Sequence, residues 1–436
     1  MIDNLRQDAR RIWDAAVDAA RPEPLVRQAL AERSAELRAA PRIIVLGAGK
    51  AGAAMAEAVE NALHDRLERI EGIVNVPADA VKPLKKIRLN PARPPATNFP
   101  TADGVRGAEE MLRRARSAGP DDVALCLISG GGSALLPAPV SGVSLDDKLA
   151  VTRLLHQCGA TINEMNAVRK HLSAIKGGRL AQAFTGKSMI SLIISDVVGD
   201  PLDVIASGPT TPDPSTFADA LAILDRYQLR TQAPLAIIAH LQEGARGRIA
   251  ETPKTLPNQV QNVVIGSNAL AIKEAERCAK ELGYDVLNLG SFIEGETRQV
   301  AIMHAGIVRS IRAHGVPIKP PVCLLSGGET TVTLSPNAGK GGRNQEFVLA
   351  TLLKLGLTSK VAILSGGTDG EDGPTDAAGA SADVETLQRA VALGLDGWDH
   401  LRRNDAYPFF KATGDLLVTG LTQTNVMDVR VILVAT

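Results

Sequence analysis

The sequence predicts an α/β protein of two domains, each a mainly parallel sheet with helices on both faces, the N-terminal one Rossmann-like. Three observations carry that expectation. Short β-rich apolar runs alternate with longer helical patterns from end to end, as in parallel sheets covered on both faces. The 436 residues exceed one ordinary core and suit two or three domains. The stretch QEGARGRIAETPKTLPNQVQ, residues 242–261, is polar, holds two prolines and lacks sustained periodicity, as a linker does.

In chain order, RIIVLG, GIVNV, VALCLIS and MISLIIS are the strands expected in the first domain, residues 1–245. NVVIGS, DVLNLG, VCLLSG, VAILSG, DLLVTG and VRVILV are those expected in the second, residues 255–436. The clearest helix is SNALAIKEAERCAKELGYD, with Ser267 placed to cap it and Gly283 suited to the left-handed position after its end. The proline-rich NPARPPATNFPTADG lies between a strand and a helix and reads as a long functional loop.

Composition excludes several partners. Lysine plus arginine equals aspartate plus glutamate at 48 each, and no basic stripe interleaves with aromatics, so neither nucleic acid nor an anionic membrane is expected. No window reaches the roughly 18 apolar residues of a membrane span. The first 20 residues carry four aspartates and no uninterrupted apolar stretch, unlike a signal peptide. Cys126, Cys158, Cys278 and Cys323 stand singly in apolar segments, so buried thiols in a reducing, cytoplasmic setting are expected. A small molecule is the expected ligand; self-association is left open.

VLGAGKAG places Gly47, Gly49 and Gly52 in the G-x-G-x-x-G spacing of a dinucleotide loop, yet Lys50 stands inside it. The acidic ribose partner such a loop needs has only Asp79 to offer, beyond a proline. A lysine at a helix N-terminus, where N–H groups and the dipole already favour an anion, suits a transferring phosphate instead. SGGGSALL, with Gly130, Gly131 and Gly132 between Ser129 and Ser133, offers backbone N–H groups to a polyphosphate.

A strand ends in Ser-Gly-Gly twice more, at Ser326 with Gly327 and Gly328, and at Ser365 with Gly366 and Gly367. Ligands sit outside the carboxyl ends of such strands, which points to a cleft between the domains, although strand-to-helix turns need glycine in any case. In SDVVGDPLDV, Asp196 could hold Mg²⁺ or accept a proton from a substrate hydroxyl, or serve the turn; Asp369 in GTDGEDGPTDAAGA poses the same choice. In AGKGGRNQEF, Arg343 begins a helix, where a cation is otherwise unfavourable, so it is expected to grip a carboxylate or a phosphate. Arg169, Lys170, His171 and Lys176 cluster in NAVRKHLSAIKGGRLA. As a solvated face they would be unremarkable, though His171 beside Arg169 keeps a hydride-transfer site on a 2-keto acid in view.

These motifs, in this order over nearly the whole chain, resemble the glycerate 2-kinase family whose C-terminal half is the MOFRL domain. The resemblance implies two α/β domains with the active site between them, and ATP-dependent phosphorylation of D-glycerate to 2-phosphoglycerate. It also implies key roles for Lys50 and Arg343. In keeping with it, Mg²⁺ is expected on Asp196 or Asp369, and nucleotide phosphates on Gly47, Gly49, Ser129, Gly130, Gly131, Gly132, Ser133, Gly327 and Gly328. Some family members carry the label hydroxypyruvate reductase, so NAD(P)H-dependent reduction is the alternative. TGLTQTNVMD departs from the family pattern T-G-P-T-G-T-N-V-N-D at Leu421, Gln423 and Met427, a change expected to bear on the shape of that loop and on substrate preference.

Overall fold

Apolar runs pair into two six-stranded sheets in the computed structural model, which describes residues 4–94, 99–257 and 259–436. The chain forms two units, one spanning Pro22–Ile265 and the other joining the segment that ends at Arg21 to Gly266–Thr436.

The first sheet comprises β1 (Ile43–Ala48), β2 (Ile70–Pro77), β3 (Ile87–Arg93), β4 (Val123–Ile128), β5 (Ser188–Ile194) and β6 (Val260–Gly266). Its order is β3-β2-β1-β4-β5-β6, and β1 to β5 pair in parallel. That is the order of doubly wound folds, in which successive crossovers go opposite ways from β1 and leave a crevice outside the ends of β1 and β4. Every residue of β1, β4 and β5 is buried, which is why these strands read as unbroken apolar runs. Ile44, Leu46, Cys126 and Met111 share one core, and Val151, Leu155, Phe217 and Ile237 a second.

The other unit holds β7 (Asp285–Asn288), β8 (Gly295–Glu296), β9 (Val322–Gly328), β10 (Thr330–Thr331), β11 (Val361–Gly367), β12 (Gly379–Ala382), β13 (Leu416–Leu417) and β14 (Asp428–Val434). β8 and β10 form a small parallel pair; the main sheet runs β13-β12-β11-β14-β9-β7. The expectation of a mainly parallel second sheet is corrected here: β7 with β9 is parallel, and the other four pairings are antiparallel. Two of the four come from β14, the last strand, which enters between β9 and β11 against their direction, and the other two from β12, which runs antiparallel to both β11 and β13. All seven residues of β14 are buried, and a fully buried strand shows the same apolar run whichever way its neighbours point.

The units also differ from the boundaries 1–245 and 255–436. Helix Leu5–Ala19 packs within the second unit, burying Ile12, Trp13, Ala16 and Val17. The Trp13 indole N–H donates to Gly366 O at 3.2 Å, and Tyr284 Oη donates to Asp8 at 2.9 Å. The expected linker is tied into the first unit, where Glu251 accepts the Phe217 N–H at 2.8 Å and Thr252 Oγ1 donates to Asp213 at 2.9 Å. An amphipathic stripe shows that a helix has a buried face but not which sheet buries it.

The expected helix forms over Asn268–Glu281, with Ser267 Oγ accepting the Leu270 N–H and Gly283 at φ 89° beyond its end. All four cysteines are free thiols; Cys126 and Cys323 are buried, whereas Cys158 and Cys278 are partly exposed, contrary to expectation. Among the described residues, no helix is long and apolar enough to cross a membrane.

Gln423 and Met427, where the resemblance leads one to expect a glycine and an asparagine, both adopt left-handed backbone, at φ 63° and 68°. Glycine bears that conformation without strain. Gln423→Gly is therefore expected to raise stability by roughly 0.5–1 kcal/mol in denaturant titrations, against the entropic cost of the added glycine; a loss would mean that the loop carries no such strain. Trp13→Ala is expected to cost about 3–5 kcal/mol; a cost within error of zero would contradict the docking of the first helix.

Candidate active site

Two loops meet at the crevice of the first sheet. A Cβ on Gly47 would lie 2.1 Å from Leu127 O, and one on Gly49 2.0 Å from Ser129 Oγ. No larger residue allows the ends of β1 and β4 to lie this close. The apposition is then bonded: Lys50 N–H donates to Gly130 O at 2.8 Å, Ala51 N–H to Ser129 Oγ at 3.0 Å, and Ser129 N–H to Ala48 O at 3.1 Å. Gly52 starts helix Gly52–Ala62, where a Cβ would meet Val74 at 2.9 Å, so the third glycine serves helix-to-sheet packing.

Gly131 takes φ 72° and caps the short turn Gly132–Leu135. The position where its Cβ would stand lies 3.5 Å from both Lys50 Cγ and an Arg93 guanidinium nitrogen, so the Lys50 stem and the Arg93 guanidinium flank the glycine loop. Gly132 N–H is used by Ser129 O at 3.2 Å; the N–H groups of Gly130 and Gly131 donate no hydrogen bond among the described residues. Ser133 Oγ accepts from Lys176 Nζ at 2.6 Å and lies 3.0 Å from Ser207 Oγ. The crevice thus brings together Gly47, Gly49, Lys50 and Ser129 to Ser133, and sets Arg93 and Lys176 beside them. Asp196 follows the carboxyl end of β5.

Arg343 and Asp428 organise the corresponding edge of the second sheet. In register, Asp428 stands opposite Gly328 on one side and Gly367 on the other. Arg343 grips Asp428 through two nitrogens, Nε at 2.7 Å and a terminal nitrogen at 3.0 Å, and its other terminal nitrogen lies 3.0 Å from Glu329. The guanidinium therefore does not present an open fork, as the sequence suggested; its bidentate edge is held by the chain's own buried carboxylate. Burial opposes its charge, but Asp428 and Glu329 push it above the ordinary arginine value. Asp428, despite burial, is kept below the usual carboxylate range by Arg343 and Arg430, and it also accepts from Asn344 at 2.9 Å.

Asp372 explains how a helix starts on a cation. Its two oxygens accept the N–H groups of Asn344 at 3.0 Å and Gln345 at 2.9 Å, placing a carboxylate at the N-terminus of helix Arg343–Leu355.

Other sequence candidates have structural roles. A Cβ on Gly327 would strike Asn268 at 1.7 Å, one on Gly328 would meet Ile293 O at 2.4 Å, and one on Gly366 would lie 2.9 Å from the Trp13 indole nitrogen. In these strand ends packing alone demands glycine. Asp369 Oδ1 accepts the Glu371 N–H at 3.1 Å, forming a turn. His171 is fully buried between Ala167 O at 2.7 Å and Glu251 at 3.0 Å, with Phe217 on its ring, and Lys170 lies between Asp203 and Asp213. A hydride-transfer role for His171 is unsupported by that setting.

Residues 8–242 match the family described as Domain of unknown function (DUF4147), and residues 322–428 match the MOFRL family. Glycerate 2-kinase of Pyrococcus horikoshii is 38% identical over 99% of this chain and 98% of its own. The chain belongs to the glycerate 2-kinase family. A solved glycerate kinase from Thermotoga maritima superposes with a TM-score of 0.88 at 34% identity, covering 99% of each chain. A protein of Agrobacterium vitis with the provisional name hydroxypyruvate reductase is 43% identical over 98% of this chain and 94% of its own.

Arg93, Asp428 and Glu329 were not singled out from the sequence, whereas Asp372 stands among the carboxylates of GTDGEDGPTDAAGA that were weighed for a metal or a proton. Asp428 lay within the quoted TGLTQTNVMD motif, and its only signal was a lone acid opening an apolar strand. Burial pushes the Asp372 carboxyl up to about 6, with Asp428 adding to the effect and the two backbone N–H groups opposing it. A carboxyl raised in the fold binds its proton more tightly there than in the unfolded chain. Its contribution is thus fully present below the ordinary carboxylate range and is lost as pH rises through about 6. Wild type is accordingly expected to lose stability relative to Asp372→Asn as pH rises across that window in denaturant titrations; a difference independent of pH would contradict the buried titration.

Proposed function

We propose that this chain transfers the γ-phosphoryl group of ATP to the 2-hydroxyl of D-glycerate, with Mg²⁺, giving ADP and 2-phosphoglycerate. The observation that carries the reading is the crevice loop pair, in which the Lys50 stem and the Arg93 guanidinium flank a glycine turn whose Gly130 and Gly131 N–H groups donate to no described residue. Oriented N–H groups and cations suit phosphate oxygens, and phosphoryl transfer rests mainly on positioning and charge stabilisation. The names of the glycerate kinase relatives supply the acceptor.

In this reading the Gly130 and Gly131 amides cradle ATP phosphates and Lys50 stabilises the oxygens of the transferring group. Arg343, aimed by Asp428, binds the acceptor carboxylate or the γ-phosphate, which competes with Glu329 for its outer nitrogen. Asp196 is the carboxylate assigned to Mg²⁺. Among the described residues no three His, Cys, Asp or Glu side chains converge on one point, which fits a Mg²⁺ shared with substrate phosphates better than an all-protein cage. When bound, the ion neutralises charge on the phosphates. The glycerate 2-oxygen forms its bond to the γ-phosphorus as the bond to the β-phosphate oxygen breaks; the hydroxyl proton passes to solvent, and ADP leaves.

ADP release from ATP with D-glycerate and Mg²⁺ tests both function and residues. Wild type is expected to turn over, and Lys50→Ala and Arg343→Ala each to lose on the order of 10²–10³-fold in kcat, the scale of a charge-stabilising group. Full activity in both variants would remove the residue roles; no turnover by wild type would remove the function.

A further inference from the structure

Behind Ser133 lies a set of buried and half-buried cations that the roles above do not use. Lys148, on helix Leu145–Gln157, is 9% exposed, and its Nζ is buried with no hydrogen-bond partner among the described residues. Lys176, 3% exposed, donates to Ser133 O at 2.7 Å, Ser133 Oγ at 2.6 Å and, at 3.5 Å, Ser207 Oγ. Arg169 is half-buried, and its guanidinium meets His156 at 3.4 Å. Arg179 donates to Ser173 O.

Among the described residues, no carboxylate forms an ion pair with any of these four. The nearby acids are committed elsewhere: Asp213 and Asp203 to Lys170, and Glu251 to His171 and Lys254. The cations are close enough to repel one another. Lys148 is brought down to about 7 by burial and then by Arg169 and Arg179, and Lys176 is lowered by burial and then by Lys148 and Arg169. Burying like charges without a counter-charge is costly, and a chain that needed only packing here would do better with apolar side chains. The arrangement is complementary to an anion.

We propose that Lys148, Arg169 and Lys176 form an oxyanion subsite, reached past Ser133, that takes a phosphate or carboxylate group of a ligand of the neighbouring crevice. Lys176 bonds Ser133 and so ties the subsite to the glycine loop, while Ser207, in contact with Ser133 Oγ and with Asn166 Oδ1 at 3.1 Å, supports its wall. The naming of the two sources, ATP phosphate and glycerate carboxylate, rests on the proposed function; the anion chemistry does not.

The test uses inorganic phosphate as probe, read as a rise in melting temperature and by calorimetric titration, on wild type, Lys148→Met and Arg169→Gln. Wild type is expected to bind phosphate and each variant to bind it at least about tenfold more weakly, the loss of one charge-assisted bond. Without phosphate, Lys148→Met is expected to melt no lower than wild type, since an unpartnered buried charge has been removed. Should it fail to fold, the half-buried Arg169→Gln carries the comparison. Phosphate binding unchanged in the variants, or absent in wild type, would overturn the proposal. In steady-state assays, a raised KM for ATP alone assigns the subsite to a nucleotide phosphate, and a raised KM for D-glycerate alone to the carboxylate. Because phosphate binding needs no turnover, a wild type that binds phosphate but does not release ADP would refute the kinase reading and leave the subsite standing.

Discussion

The candidate active site depends on one steric constraint, the contact between the ends of β1 and β4. Backbone meets backbone and hydroxyl there at distances that exclude a Cβ at Gly47 and Gly49. Three hydrogen bonds then lock Ala48, Lys50 and Ala51 to Ser129 and Gly130. Everything proposed for phosphate binding follows from that closure: the glycine turn at Gly131, the Lys50 stem beside it, the amides it leaves unspent and the Lys176 contact to Ser133. The same glycine spacing in a dehydrogenase serves approach to a pyrophosphate. Here the first two glycines seat one loop on another, and Lys50 supplies a charge that a dinucleotide loop does not need.

The second sheet solves a different problem, how to begin a helix with arginine. Asp372 takes the N–H groups of the first turn and Asp428 takes the guanidinium, so the helix dipole and the side chain each meet an anion. Asp428 can occupy that point because β14 enters antiparallel between β9 and β11, bringing its first residue opposite Gly328 and Gly367. A parallel last strand would have carried Asp428 to the other edge. The topology that departs from expectation is therefore the one that orients Arg343.

Much of this was legible in the sequence. The apolar runs of β1, β4 and β5, the loops at Lys50 and Ser129, and Arg343 at a helix start follow from local pattern, which the chain obeys. What was not legible depends on pairing over long separations. β14 shows no alternation because both its faces are buried, so its direction is invisible. Helix Leu5–Ala19 displays an apolar face but not the sheet that covers it. Arg93 ends a strand, and Lys148 sits in an ordinary amphipathic helix; each matters only because of what the fold sets beside it. Three Ser-Gly-Gly endings looked alike, yet Gly327 and Gly366 make room for Asn268 and Trp13.

On the proposed function, the β1 and β4 loops cradle the phosphates of ATP and not a nicotinamide dinucleotide. Isothermal titration of the wild-type protein with ATP and Mg²⁺, and separately with NADH and NADPH, tests it most directly. Saturable binding of ATP is expected, and none of either dinucleotide. Saturable binding of NADH or NADPH with no response to ATP would contradict it.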